Sequence, residues 1–365
     1  MADPSNGEIL GMASYPTFNL NDPRKLTGMY TDEEIKDMSD EEYRNNLYSL
    51  WTNYCVSESY EPGSTFKPVT VASALEEGVV KDGDTYVCKG FETVADYKLK
   101  CHVFSTIGSH GSLTVEQALM NSCNPYMIHL ALEMGNSRFA YYQSLFGFGK
   151  ITGIDLPGET TGIVYGDRMT TIDAAWNSFG QTINVNMMQM MAAYCSIING
   201  GMLYQPHIVK RIESANGEVV KEYKANLVRQ TITASTSKLL RRYLKNTVEE
   251  GTAKKAGVTG YSVAGKTGTA QKGDRKDNKW IISFIGHAPA ENPKFAIYVV
   301  IDEPYGTTGT SGSSADVLTL THNILEKLLP YMNVYKDASD EYEDTSSSPD
   351  ELTVDGIPAG TASSN

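Results

Sequence analysis

This chain has no uninterrupted apolar run long enough to cross a bilayer. No secretory leader is expected in MADPSNGEILGMASY, which has neither a basic start nor an apolar centre. That opening reads instead as a turn running straight into a strand, so the chain is expected to be a piece of a longer architecture. Basic charge is scarce: 31 Lys and Arg stand against 44 Asp and Glu, for a net charge of −13. Nucleic-acid binders usually carry a basic footprint, so nucleic acid is not expected as a partner. Cysteine is sparse too, and Cys55, Cys88, Cys101, Cys123 and Cys195 form no C-x-x-C pair. The six histidines show no zinc-like spacing, which argues against a metal site, and no cofactor is expected.

What is present suits a folded enzyme. At 365 residues, 41% hydrophobic and 21% charged, the chain can bury one large core or two modest ones. Residues 7–15 read as a strand, and the acidic stretch 31–50 as an exposed helix or flap. A helix is expected over 64–77. Residues 112–134 read as two helices broken at Asn124-Pro125, followed by a third over 136–147. Residues 152–168 read as loop, and 184–199 as a helix apolar nearly all round, hence buried, its methionines serving as core filler. A hairpin around Asn216-Gly217 (207–213 and 218–223) precedes a helix at 235–250. Strands follow at 260–270, 279–288 and 294–302, then a closing helix at 315–332. The acidic, Ser-rich segment 336–365 reads as a mostly disordered tail. The sum is an α/β (α+β) fold: one antiparallel sheet flanked by helices, with an inserted helical subdomain at about 78–200 inside a domain spanning 1–335.

The stretch YEPGSTFKPVT places Ser64 three residues before Lys67. If Ser64 opens a helix, both side chains share one face, and the lysine amine can serve the serine as a base once it is neutral. Gly63 permits a sharp turn and leaves the serine approachable. The helix N-terminus adds free N–H groups for a developing oxyanion. Alone this pattern is weak: Ser235 and Lys238 repeat it, and S-x-N occurs at Ser122, at Ser214 and again at the C-terminus. K-T-G occurs once, at Lys266-Thr267-Gly268, followed by Thr269. The strength lies in order and context. Ser64-x-x-Lys67 opens a helix, Ser122-Cys123-Asn124 sits at a helix break, and Lys266-Thr267-Gly268 lies on a strand. For Ser122 and Asn124 the alternative is a plain cap for the helix near Pro125, and for Lys266–Thr269 an ordinary edge strand.

Those three motifs, in that order, are the known signature of penicillin-binding, active-site-serine transpeptidases, and the chain resembles that family. The likeness extends to GEILGMAS, GIDLPGE, FGQTINVNMMQM, AAYCSIINGG, VAGKTGTAQ and SFIGHAPAENPKFAIYVVIDEP, covering roughly residues 5–330, and is similar to the class B (monofunctional) members. Cys123 stands where that class often has Ser. The family's membrane anchor and N-terminal pedestal domain are not in this sequence, which fits the expectation of a piece.

The resemblance implies the β-lactamase/transpeptidase-like fold and a set of roles. Ser64 would attack the penultimate D-alanine carbonyl of a peptidoglycan stem peptide, and Lys67 would take its proton. Ser122 would pass a proton to the leaving D-alanine, with Lys266 tuning the shared network. Asn124 would hold the substrate amide and position Lys67. Thr267, Gly268 and Thr269 would bind the substrate along the strand, with the threonines on its terminal carboxylate. The N–H groups of Ser64 and Thr269 would form the oxyanion hole. β-Lactam antibiotics would acylate Ser64 and stay. The resemblance further implies the outer face of the bacterial cytoplasmic membrane and a membrane glycosyltransferase as partner.

Cys88 and Cys101 flank CKGFETVADYKLKC, two short extended segments turning near Val94–Tyr97. A disulfide across that hairpin and a pair of free thiols both fit. The pair resembles that of sporulation-specific class B enzymes, in which case its redox state could gate activity. The alternatives to a transpeptidase are a β-lactam or peptidoglycan sensor, a non-catalytic scaffold, a D,D-carboxypeptidase or a β-lactamase. The last needs a carboxylate to activate water, and residues 150–170 hold no E-x-x-L-N-like loop.

Overall fold

Ala2 starts the fold by pairing antiparallel with Ala296, donating to its carbonyl at 3.0 Å and accepting from its N–H at 2.8 Å. The structure is a computed structural model that describes residues 1–26, 28–273, 279–304 and 313–338. The strand expected over 7–15 is reduced to single bridges at Glu8 and Ile9. Gly7 turns there with φ +84°, and the Gln205 carbonyl sits 2.6 Å from where a Cβ would be, so the backbone packs on a neighbour instead of extending a ladder.

The acidic run divides into α1 (Asp32–Asp37) and α2 (Asp40–Trp51), because Thr31 and Ser39 each cap a new N-terminus with a side-chain oxygen. After the single turn α3 (Tyr54–Ser57), a 3-10 turn over Gly63–Phe66 feeds α4 (Lys67–Glu77), which ends on Gly78 at φ +75°. From Lys67 to Ala74 every residue of α4 is buried, so it is the central helix of the molecule. Residues 85–114 form four short strands: β1 (Thr85–Cys88), β2 (Phe91–Val94), β3 (Tyr97–Lys100) and β4 (Gly111–Thr114). β2 and β3 make the expected hairpin, whereas β1 pairs with β4. The expected helical middle therefore carries two small sheets as well as α5 (Val115–Met120), α6 (Asn124–Met134), α7 (Asn136–Leu145), α8 (Thr171–Asn177) and the buried α9 (Met187–Ile198).

β5 (Met202–Tyr204) pairs with a later strand, β8 (Leu227–Gln230), across the exposed hairpin of β6 (Arg211–Glu213) and β7 (Val219–Glu222). Next come α10 (Ala234–Glu249), the strands β9 (Ala264–Lys272), β10 (Lys279–Ala288) and β11 (Phe295–Asp302), and finally α11 (Ala315–Tyr331). These last three strands form one antiparallel sheet in the order β11-β10-β9. Its two faces separate by the period of two that strands impose. Ile282, Phe284, Phe295 and Ile297 pack on Val317, Leu325 and Leu329 of α11. Ile281, Ile285, Ala296 and Tyr298 face the core that holds α4 and α9.

The expected tail needs one correction at its start. Asp337 donates its N–H to Gly260 O at 3.0 Å and accepts from Ser262 N at 2.7 Å, so residues 336–338 are tied to the body. The stretch 339–365 lies outside the described residues. No helix among the described residues is long and apolar enough to cross a membrane.

Candidate active site

Ser64 sits in the 3-10 turn, half-buried, and Lys67 is the first residue of α4. Gly63 has φ +56°, and a Cβ there would lie 2.5 Å from the Thr269 carbonyl oxygen. Only glycine lets the turn bearing the serine press against β9 this closely. The Gly63 N–H donates to Gly180 O at 2.9 Å, which fixes the turn from its other side.

Ser122 owes its position to the end of α5. Its N–H bonds to Leu119 O at 3.2 Å, and the Cys123 N–H reaches back to Ala118 O at 2.8 Å. This pair of bonds is a Schellman closure, which puts Ser122 at the left-handed position where glycine is usual. Its φ is +53°. A non-glycine residue held there costs on the order of 1–3 kcal/mol, which the surrounding contacts must offset. The gain is direction: both oxygens of Ser122 point at the same amine. Lys67 Nζ donates to Ser122 O at 2.6 Å, to Ser122 Oγ at 2.9 Å and to Asn124 Oδ1 at 2.7 Å. Ser122 Oγ in turn donates to Ser64 Oγ at 2.9 Å. The base expected from the S-x-x-K spacing is thus linked to its nucleophile through a second serine hydroxyl. Asn124 begins α6 without capping it, because its oxygen is committed to Lys67 and its amide donates to Lys100 O at 3.4 Å.

The two buried lysines differ. Burial lowers Lys67 to about 8, yet all three of its contacts are acceptors, the pattern of an ammonium. Burial pushes Lys266 well below its ordinary value, and the nearby Lys67 charge pushes it further. Lys266 Nζ makes only long contacts, to Thr267 O at 3.2 Å and Thr267 Oγ1 at 3.3 Å. Thr267 Oγ1 then donates to Thr252 Oγ1 at 3.4 Å. Lys67 is thus held as a donor to three acceptors, while burial and the neighbouring Lys67 charge both disfavour the charged form of Lys266.

Ser64, Ser122, Asn124, Thr267 and Thr269 line one cleft of about 690 Å³. Lys266 lies beneath it, fully buried. Gly268 does not line it. A Cβ at Gly268 would run into Ser283 Oγ, Pro62 O and Thr65 Cγ2, so this glycine, and likewise Gly265 against Phe284, is required by packing within the sheet and not by an approaching ligand. Sequence reasoning missed another stretch of the cleft wall, where Lys98, Lys100 and His102 of the β2–β3 region line it. No short motif marks them, because they reach the cleft only through the hairpin. His287 is a core residue, held between Tyr194 Oη at 2.9 Å and Ala290 O at 3.0 Å. Glu159, the carboxylate of the 152–168 loop that could activate water, instead accepts from Thr152 N at 2.7 Å and Gly153 N at 3.1 Å. Among the described residues lining the cleft there is no Asp or Glu.

Of the two arrangements open for Cys88 and Cys101, the structure has the free thiols, so the bridge across the hairpin is not formed. Because β1 pairs with β4, Cys88 is carried beside His110. Cys88, Cys101, His110 and Cys123 converge, with all their ligand atoms within 4.8 Å of one another, although they come from four separate segments.

Comparison with known proteins agrees with this geometry. Residues 1–326 match the family described as penicillin binding protein transpeptidase domain. Stage V sporulation protein D of Bacillus subtilis is 39% identical over 338 residues, covering 91% of this chain and 49% of that protein. Peptidoglycan D,D-transpeptidase FtsI of Escherichia coli K12 is 31% identical over 344 residues, covering 93% and 52%. The chain thus spans about half the length of these curated relatives. Among solved structures, the D,D-transpeptidase domain of a peptidoglycan glycosyltransferase from Eggerthella lenta superposes with a TM-score of 0.77 at 27% identity, covering 91% of this chain and 77% of that one. Penicillin binding protein 3 of Mycobacterium tuberculosis, complexed with aztreonam, gives 0.77 at 27% identity, covering 93% and 73%. The three motifs, the shared cleft and these matches together make this chain a member of the penicillin-binding protein transpeptidase domain family.

Proposed function

We propose that the chain is the catalytic unit of a serine D,D-transpeptidase that cross-links peptidoglycan stem peptides, and that β-lactams acylate it at Ser64. The observation that carries this reading is the unbroken hydrogen-bonded line from Lys67 through Ser122 to Ser64 at the floor of an open cleft. Hydroxyl hydrogens rotate, so the line can run in either direction. Once Lys67 is neutral, Ser64 gives its proton to Ser122 Oγ, and Ser122 gives its own to Lys67 Nζ. Ser64 Oγ then bonds to the penultimate D-alanine carbonyl carbon. The Ser64 and Thr269 N–H groups receive the oxyanion, a role supported by the contact between Gly63 and the Thr269 backbone. Collapse breaks the amide bond, and the leaving D-alanine amine takes a proton back along the same line. An amine from a second stem peptide attacks the acyl-enzyme, leaves its proton on the network, and frees Ser64.

Thr267 and Thr269 stand where a terminal carboxylate would bind, with Lys266 behind them. The absence of a carboxylate among the described cleft residues disfavours water as acceptor, and so favours transfer to an amine over hydrolysis. Lys98 and Lys100 give this wall a positive field in a chain of net charge −13, which suits an anionic peptide. We further propose that the unit works on the outer face of the cytoplasmic membrane beside a glycosyltransferase, and the similarity to Stage V sporulation protein D supports a task in spore formation. The test is a pentapeptide donor with an amine acceptor. Ligated product with release of one D-alanine per turnover is expected. Binding without product makes the chain a sensor, and release of D-alanine without ligation makes it a carboxypeptidase.

A further inference from the structure

We infer, resting on the transpeptidase reading for the substrate, that Thr252 is a positioning residue. It ties the turn that carries Ser122 to the strand that receives the substrate's terminal carboxylate. Thr252 follows α10, is half-buried and lines the cleft. Its backbone N–H and its Oγ1 both donate to Met120 O, each at 3.2 Å. Met120 is the last residue of α5, two before Ser122. On its other side Thr252 Oγ1 accepts from Thr267 Oγ1 at 3.4 Å, and Thr267 Oγ1 accepts from Lys266 Nζ at 3.3 Å. A carbonyl only accepts, so the hydrogens of this line run one way, from Lys266 to Thr267 to Thr252 to Met120 O.

Gly251 makes the contact possible. A Cβ there would lie 2.8 Å from Met120 O and 2.8 Å from Thr247 O, so a larger residue would push α5 and α10 apart. The Ala253 N–H then closes the end of α10 on Thr247 O at 3.1 Å, and Ala253 is buried. Both chain neighbours of Thr252 are therefore fixed by packing.

Ser122 needs such fixing, because a positive φ persists only where the surroundings over-determine it. Three consecutive carbonyls here are each gripped by a different segment. Met120 O is held by Thr252, Asn121 O by His102 Nε2 at 2.9 Å, and Ser122 O by Lys67 Nζ at 2.6 Å. Of the three gripping residues, Thr252 is bonded to β9 as well. A substrate anchored by its carboxylate on Thr267 and Thr269 takes its register from β9, whereas the relay hydroxyl takes its register from the turn. The tie through Thr252 keeps the two in step. A misplacement of about 1 Å can cost about 10²-fold in rate, so loss of one tie among several should cost about tenfold. A substrate without the carboxylate is not placed by β9 in this way and gains little from the tie.

Thr252→Val keeps the β-branch and the backbone N–H and removes the hydroxyl, whereas Thr252→Ser keeps the hydroxyl. Should valine prevent folding, Thr252→Ala takes its place. The donors are a peptide ending in D-Ala-D-Ala and the same peptide with its terminal carboxylate amidated, with Ser64 acylation followed by rapid quench and intact mass. For the carboxylate donor, Thr252→Val should lower the acylation rate constant at saturation by about tenfold and leave the half-saturating concentration within about twofold. For the amidated donor both should stay within about twofold, and Thr252→Ser should restore most of the loss. Equal slowing on both donors overturns the inference, because a merely structural residue would act on both. Weaker binding at an unchanged rate constant overturns it too, and makes Thr252 a plain contact; so does no effect on either donor. A second measurement needs no turnover. Thr252→Val should lower the denaturation midpoint of the wild type, and by less than half as much once Ser122→Gly has relieved the positive φ. Equal shifts in the two backgrounds overturn the tie. If the wild type acylates with neither donor, the transpeptidase reading fails, and the denaturation cycle still decides whether Thr252 holds the turn.

Discussion

The two walls of the cleft are built by different means. One wall, the 3-10 turn with α4 and β9, is set by packing: Gly63 against Thr269, Gly268 against Ser283, and a sheet with apolar residues on both faces. The other, residues 85–124, has short strands, a strained serine and a knot of sulfur and imidazole. The proposed catalytic groups come from both walls and meet at Lys67, which grows from the first and is held by the second. A packed wall fails through lost volume or overlap, whereas a polar wall fails through a lost partner. The two should therefore break separately.

The largest effect is expected for Ser64→Ala. It should abolish labelling by a fluorescent penicillin, a fall of about 10⁴-fold or more, while the melting curve stays near wild type. Labelling that survives would place the nucleophile elsewhere. On the polar wall, Ser122→Ala and Ser122→Gly both remove the relay hydroxyl and should slow acylation by about 10²–10³-fold. They should differ in stability: glycine relieves the positive φ that alanine keeps, so Ser122→Gly should be the more stable by roughly 1 kcal/mol. Equal melting curves would mean the backbone there is not strained. On the packed wall, Gly268→Ala should cost about 1–3 kcal/mol by chemical denaturation, because its methyl group meets Ser283, Pro62 and Thr65. The folded fraction of that variant should still be acylated. A silent substitution would show that the sheet and the turn are less tightly joined than described.

The same division decided what could be read from sequence. Ser64, Lys67, Lys266 and Thr267 stand in short motifs, where the chemistry itself fixes the spacing. The strands expected at 279–288 and 294–302 pair in the sheet, and the helix expected at 235–250 begins one residue earlier, at Ala234, behind its cap Thr233. Ser122 was expected to pass a proton to the leaving D-alanine, but its place between Lys67 and Ser64 was not legible, since that depends on the Schellman closure pointing its hydroxyl at Ser64. Gly268 was read as part of the strand that binds substrate, and its packing against Ser283 and Thr65 was not legible because both lie far away in sequence. The Cys88, Cys101, His110 and Cys123 group follows no ligand spacing rule, because the pairing of β1 with β4 and the turn after α5 assemble it only in space. Local rules see what one element holds; they miss what two elements bring together.

The pH profile of acylation tests most directly the claim that Lys67 acts on Ser64 through Ser122. A base works only when neutral, and burial holds Lys67 at about 8, so the wild-type rate should climb through that pH and fall about tenfold for each unit below it. Lys67→Met should be slow and lack that inflection. If the inflection persists in Lys67→Met, another group takes the proton, and the account of the site is wrong.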